Sequence, residues 1–221
     1  MSMDMLPALL DGVRVTLLLL VVSTIGGCLL AVPIALARLS RWAVLRGVAL
    51  AWSGFFRGTP LLVQLFLFYY GLAQFIAVRH SPLWPVIRDA LPCAMLTFTL
   101  NMSAYVAEVV RGGIRAVPRG EREAAAALGL GPIALYCDII LPRALRLMLP
   151  ALTNEVVLQL KATALASTVT LLDLTGIGRR LADRSYSSEP LFVAGALYIL
   201  MTAGIIQLFR IAEKRLRLPG S

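Results

Sequence analysis

VRVTLLLLVVSTIGGCLLAVPIALA, residues 13–37, carries a single charge, Arg14, in an otherwise apolar or small-residue run. A helix rises about 1.5 Å per residue and the hydrocarbon core of a bilayer is about 30 Å thick, so about 20 such residues cross it. No water is available inside that core, so backbone groups must bond internally, and the run predicts a transmembrane helix. Working outward, apolar stretches of similar character lie at about Leu61–Val78, Leu91–Val110, Leu147–Leu172 and Leu191–Phe209. Arg57-Gly58-Thr59-Pro60 interrupts an apolar lead-in, Val48–Phe56, just before the second of these, and Pro190 marks a break before the last. The expected fold is therefore an all-α integral membrane protein with five transmembrane helices. The whole composition agrees: 59% of the 221 residues are hydrophobic and 15% charged, and the mean hydropathy is +0.82.

Five crossings put the termini on opposite sides, and the charges choose between the two orientations. With the N-terminus outside, cytoplasmic segments hold Arg38, Arg41, Arg46, Arg57, Arg111, Arg115, Arg119, Arg122, Arg143, Arg146, Arg210, Lys214, Arg215 and Arg217. External segments hold Arg14, Arg79, Arg88, Arg179, Arg180 and Arg184, offset by Asp4, Asp11, Asp89, Asp173, Asp183 and Glu189. The positive-inside rule predicts N-terminus outside and C-terminus cytoplasmic. The net charge of +9 is thus a topological signal; a nucleic-acid-binding domain does not distribute its basic residues between long apolar runs. No basic cluster precedes the first span, which is expected to stay in the mature protein. With no solenoid period or low-complexity stretch, residues 1–221 read as one transmembrane domain.

Several chemistries are disfavoured by what the residues are. Cys28, Cys93 and Cys137 are far apart, two of them within apolar runs, and suggest neither a disulfide framework nor a zinc site. His80 is the sole histidine. Both lysines, Lys161 and Lys214, lack the glycine-rich context of a phosphate-cradling loop, so ATP hydrolysis by that route is excluded. No nucleophile elbow, zinc-protease helix motif or dinucleotide fingerprint is present either, and the chain is not expected to be an enzyme.

The longest stretch outside the spans, residues 111–146, has EREAAAALGLGPIALYCDIILPRAL (121–145) at its centre. Pro118 fits a first helical turn, Glu121 and Glu123 suit a helix N-terminus, and the alanines have high helix propensity. Gly129 and Gly131-Pro132 end that helix, and a second is expected to run to Leu141, where Pro142 imposes another break. The expected product is a compact helix–turn–helix at the cytoplasmic face. On composition alone it either docks another surface or anchors the loop at the interface.

Glu123-Ala124-Ala125, three residues, Gly129, nine residues, Ile139, one residue, Leu141-Pro142 resembles the EAA loop of ABC importer permeases at every spacing. RGTPLLVQLFLFYYG (57–71), YVAEVVRGGIRAVPRGEREAAAALG (105–129) and LPALTNEVVLQLKATALAS (149–167) are similar to the polar amino-acid branch of that family, which includes histidine, arginine, glutamine and opine systems. The similarity covers about residues 10–210. It implies a permease subunit in a bacterial cytoplasmic (inner) membrane, with a coupling helix that seats in a groove of a separate ATPase. It further implies that ATP and Mg bind in that partner and no cofactor binds this chain, that a second permease chain (identical or paralogous) completes the path, and that an extracytoplasmic binding protein delivers the substrate. LKATALAS (160–167) resembles the histidine, arginine and opine members more than the glutamine type, because Ala162 follows the lysine where an acid often stands there. Basic amino acids or opine-like derivatives are the implied cargo, and Glu123, Ala124, Ala125, Gly129, Leu141 and Pro142 the implied coupling residues.

Most polar groups within the spans lie on the fourth. A charge at the bilayer centre costs about 2.5–3.5 kcal/mol on insertion scales, so Glu155 and Lys161 are expected to face protein or a wet cavity. At about 100° per residue, Glu155, Gln159, Thr163, Ser167 and Thr170 form one stripe, with Asn154, Lys161 and Thr168 nearly opposite. One reading makes the first stripe a substrate path with Lys161 in support; the other makes all of them interhelical hydrogen-bond partners. Glu108, three residues before Arg111, is expected to form a local ion pair. The competing function classes are a channel or ion-coupled secondary transporter, and a non-transporting membrane scaffold. The span count, the absence of an inverted repeat and the loop spacing weigh against them.

Overall fold

The computed structural model describes residues 5–216, which contain helices and connecting turns but no strand. Asp4, Arg217 and Gly220 lie outside the described residues. The first apolar run is part of a 35-residue helix, α1 (Met5–Leu39). Among the described residues it already runs from Met5, eight residues before the run itself; Pro7 is accommodated near that end, and Asp11 pairs with Arg14 at 3.3 Å on its surface. At about 1.5 Å per residue this helix is longer than the hydrocarbon core is thick. It packs along most of α6 (below), and Gly27 lets the two backbones close up: a Cβ there would lie 2.7 Å from the Met102 side chain.

α2 (Ala43–Gly58) ends at the expected interruption, where Thr59 and Pro60 are both extended. α3 (Leu61–Phe66) follows and continues through a wide π turn, Leu67–Gly71, and a 3₁₀ turn, Leu72–Gln74. The second span was expected to reach Val78, but the helix stops at Phe75, whose ψ is 123°. The Arg79 guanidinium folds back and donates to the Ala73 carbonyl at 2.6 Å, satisfying an acceptor that the break exposes. Two short helices, α4 (Ile76–Arg79) and α5 (Trp84–Ile87), lead into α6 (Ala90–Ala116), which runs one turn or more past the expected end.

After Pro118, α7 (Arg119–Ala127) is terminated by a left-handed Gly129 with φ +73°. The N–H of Leu130 bonds the carbonyl of Ala125, and that of Gly129 bonds Ala126, so a Schellman motif satisfies the last carbonyls. Next, α8 (Pro132–Ala134) enters a π turn, Leu135–Ile140, that runs directly into α9 (Leu141–Ala162). The expected break at Pro142 is therefore absent. Pro142 occupies the first turn of α9, and the widened π turn before it accommodates a residue that has no N–H to give.

α9 passes without a gap into a 3₁₀ segment, Thr163–Val169, closed by a left-handed Thr170. The tightening has a local cause: the hydroxyls of Thr163, Ser167 and Thr168 donate to the carbonyls three residues back at 2.6–2.8 Å. Asp173 then caps α10 (Leu174–Ser185), its carboxylate accepting from the N–H groups of Thr175 and Gly176. α11 (Glu189–Leu216) starts with Pro190 inside its first turn.

The core lies where α1, α6 and α9 meet. Leu20, Ala31 and Ala35 pack on Met102, Val106 and Ala107 and on Val156 and Leu160. A second cluster joins Leu19, Leu65, Phe98, Ala166 and Val169, and a third sits under the α7 loop around Ile114, Val117, Ile140 and Ala144. α1, α6 and α11 are long and apolar enough to cross a membrane; the stretch Leu61–Gln74 is apolar but shorter. The outer face of α11 carries exposed Phe192, Ile199, Leu200 and Leu208, as a helix facing lipid would.

Candidate functional site

A half-open cavity of about 470 Å³ lies where α2, α3, α6 and α9 converge. Arg57, Gly58, Thr59, Pro60 and Leu61 form one wall, Asn101, Met102 and Tyr105 the second, and Glu155, Leu158, Gln159 and Ala162 the third. Backbone interruption is what opens it. Because the chain turns at Thr59-Pro60, polar backbone and the Arg57 side chain point into space that a continuous helix would fill. The Arg57 guanidinium also lies over the Tyr105 ring, 5.5 Å from its centroid.

Of the stripe expected on the fourth span, Glu155 and Gln159 line this cavity. Gln159 is buried and donates to Ser23 Oγ at 3.0 Å, which ties α9 to α1. Thr163 and Ser167 are in the 3₁₀ segment beyond the lining, each hydroxyl bonded to its own helix. The 100° spacing holds only to Ala162; at about 120° per residue thereafter the lower half of the stripe rotates away. Lys161 is exposed on a different face and has no hydrogen-bond or ion-pair partner among the described residues.

Glu108 forms the expected pair with Arg111, whose Nε donates at 2.9 Å. The group is wider than expected, since Arg38 from α1 and Arg57 from α2 approach the other carboxylate oxygen at 3.3 Å and 3.8 Å. One acid on α6 thus gathers the C-terminal ends of α1 and α2 next to the cavity. Arg57 and Asn101 were not singled out from sequence. An amide in the middle of an apolar run is the available signal for Asn101; for Arg57 the signal is its place at the Arg57–Pro60 interruption between two apolar stretches.

At the α7 loop, Ala125 is buried while Glu123, Ala124, Gly129, Leu141 and Pro142 are exposed. Leu128 and Ile133 at the turn are 82% and 80% exposed, and Tyr136 follows them. Glu121 pairs with Arg143 at 3.3 Å, bracing α7 against α9. An apolar tip on a braced support is a surface built to be covered.

The helical bundle is thus interrupted at a cavity that Arg57, Asn101, Glu155 and Gln159 line, and it presents an exposed apolar loop tip. Residues 23–218 match the binding-protein-dependent transport system inner membrane components, and the chain belongs to that family. The octopine transport system permease protein OccM of Rhizobium radiobacter is 46% identical over 207 residues, 93% of this chain and 84% of the relative. The histidine/lysine/arginine/ornithine permease protein HisM of Salmonella typhimurium is 44% identical over 206 residues, covering 92% and 88%. Among solved structures, an amino acid ABC transporter with histidines matches with a TM-score of 0.85 and 34% identity, over 97% of this chain and 100% of that one. An inward-facing methionine ABC transporter matches in fold, with a TM-score of 0.81 at 21% identity, over 99% and 100%.

The chain is accordingly the permease subunit of an ABC importer in a bacterial inner membrane, and the ATPase is a separate subunit. A binding protein is part of such a system. The channel, secondary-transporter and scaffold readings are not favoured.

Proposed function

We propose that this permease imports basic amino acids or opine-like derivatives through the cavity between Arg57 and Glu155. The observation that carries the reading is the pairing of a cation and a carboxylate across one cavity. An amino acid brings a carboxylate that a guanidinium can bind and an ammonium or guanidinium that a carboxylate can accept. Relatives named for octopine, nopaline and histidine/lysine/arginine/ornithine transport support the same cargo class. Glu155 and Gln159 form the path at the cavity, and Thr163 and Ser167, expected on the same stripe, serve it only indirectly by fixing the 3₁₀ segment that closes its end. Lys161 would reach the path from the side on which a second permease chain, a copy or a paralogue, completes it. An unpaired exposed ammonium on a spanning helix would cost a few kcal/mol against lipid, which favours such a covering chain. Glu123, Ala124, Ala125, Gly129, Leu141 and Pro142 couple this domain to the ATPase.

In vesicles holding the permease with its ATPase and binding protein, labelled L-arginine or octopine is expected to move from the side carrying the binding protein to the α7 side, and only when ATP is present on the α7 side. Accumulation of neither compound, with another amino acid class transported instead, would overturn the cargo assignment.

We further propose five crossings, with the N-terminus external and the C-terminus cytoplasmic. The asymmetry of arginines and the three long apolar helices support this reading, with the α3 and α9 segments supplying the other two crossings. In a background lacking Cys28, Cys93 and Cys137, cysteines at Ser81, Ser187 and Ser188 should react with an impermeant external thiol reagent, and one at Gly120 should not. The reverse pattern would invert the orientation. A cysteine at Gly220, beyond the described residues, should follow Gly120.

A further inference from the structure

We propose that Gln64 and Asn101 are positioning residues: their carboxamides clamp the Arg57–Pro60 elbow and thereby set the affinity of the cavity. The inference rests on the reading of that cavity as the substrate path. Pro60 has no N–H, so the Phe56 carbonyl, which residue 60 would have bonded in a continued helix, is left without its helical partner inside the protein. Two amides take it up. Gln64 Nε2 donates to it at 2.9 Å and Asn101 Nδ2 at 3.1 Å, which fills both lone pairs.

The same Gln64 nitrogen lies 3.0 Å from the Thr59 carbonyl and 2.8 Å from Thr59 Oγ1, whose own proton goes to the Phe55 carbonyl at 2.8 Å. Asn101 Nδ2 also donates to Gln64 Oε1 at 3.0 Å, so each amide orients the other. Gln64 is 1% and Asn101 6% exposed, whereas Arg57, Gly58 and Pro60 are exposed; the elbow's other ties, Arg57 to Glu108 and over Tyr105, run through a side chain and leave the Phe56 and Thr59 carbonyls to the two amides. Buried amide networks of this kind specify one geometry when every member is satisfied. Removing the donors leaves two carbonyls to find new partners, and the wall that carries Arg57 must move for them to do so.

The test uses the permease purified with its ATPase in lipid nanodiscs, without binding protein, and two probes, radiolabelled L-arginine and octopine. Gln64→Met keeps side-chain length and removes the donors; Asn101→Asp keeps shape and exchanges the donor for an acceptor. Each variant is expected to weaken probe binding at least tenfold and to speed amide hydrogen exchange at residues 57–62 by a similar factor. Exchange in the rest of α6 and the amount of bound ATPase should stay unchanged. Unaltered exchange at the elbow and unaltered binding in both variants would overturn the clamp. Exchange that rises throughout the bundle would overturn it too, marking the amides as general stabilisers. If the unmutated complex binds neither probe, the substrate-path reading fails, while the exchange measurement still decides whether the elbow is held.

Discussion

Glu155→Gln is expected to lower the affinity of the permease for L-arginine about 30- to 150-fold while leaving assembly and unstimulated ATPase activity near their original levels. The substitution keeps the shape of the side chain and removes only its charge. Losing one partner of a desolvated charge pair costs about 2–5 kcal/mol, and because Glu155 is only half-buried the lower end applies, about 2–3 kcal/mol. Equilibrium binding to the permease–ATPase complex checks this directly, without the binding protein setting the apparent affinity. Unchanged binding would move the cation site elsewhere. Lys161→Met separates two roles in the same preparation: lost uptake with normal assembly makes Lys161 a substrate contact, and lost assembly makes it part of the contact between permease chains.

Gly129→Val is expected to abolish more than nine-tenths of ATP-driven transport with the protein still inserted in the membrane. Its φ of +73° lies in the left-handed region, where a β-branched residue is a steric outlier costing about 1–2 kcal/mol. No neighbour lies within 4 Å of a Cβ at this position, so the penalty falls on the turn itself and on whatever covers it. Relieving that strain reorients Leu128 and Ile133 together, since both flank the turn. Glu123→Lys, exposed on α7, should weaken co-purification of the ATPase without disturbing the turn. If both variants retain their ATPase and transport normally, this loop is not the coupling element.

The spans that sequence described best are those in which composition alone decides the outcome. α1, α6 and α11 are long, apolar and interrupted by little, and hydrocarbon thickness constrains them. The α7 turn was also readable, because Gly129 is needed for a backbone conformation that other residues resist. The departures all involve hydrogen bonds made at a distance or compensations within a turn. Phe75 is neither glycine nor proline, and the break there depends on Arg79 reaching Ala73. Pro142 predicts a break only if the preceding turn stays α-helical, and a π turn removes that condition. At the cavity, Glu155 and Gln159 followed from helical phase, but Thr163 and Ser167 lost that phase when their hydroxyls turned back onto the backbone. Arg57 could not be found by periodicity, because its role comes from a bend between two helices.

The convergence of Arg38, Arg57 and Arg111 on Glu108 leaves three guanidinium groups against one carboxylate beside the cavity. Positive potential therefore remains at the α2 wall after Glu108 has been counted, while Glu155 supplies the opposite sign on the α9 wall. The cavity is electrically polarised along one direction, and a zwitterion entering it by the proposed path would experience a torque as well as an attraction. Carboxylate toward Arg57 is the low-energy alignment. An amine of the same size without a carboxylate would find only one of the two poles useful, so a cavity that serves as the proposed path would discriminate by the molecule's dipole as well as by its net charge.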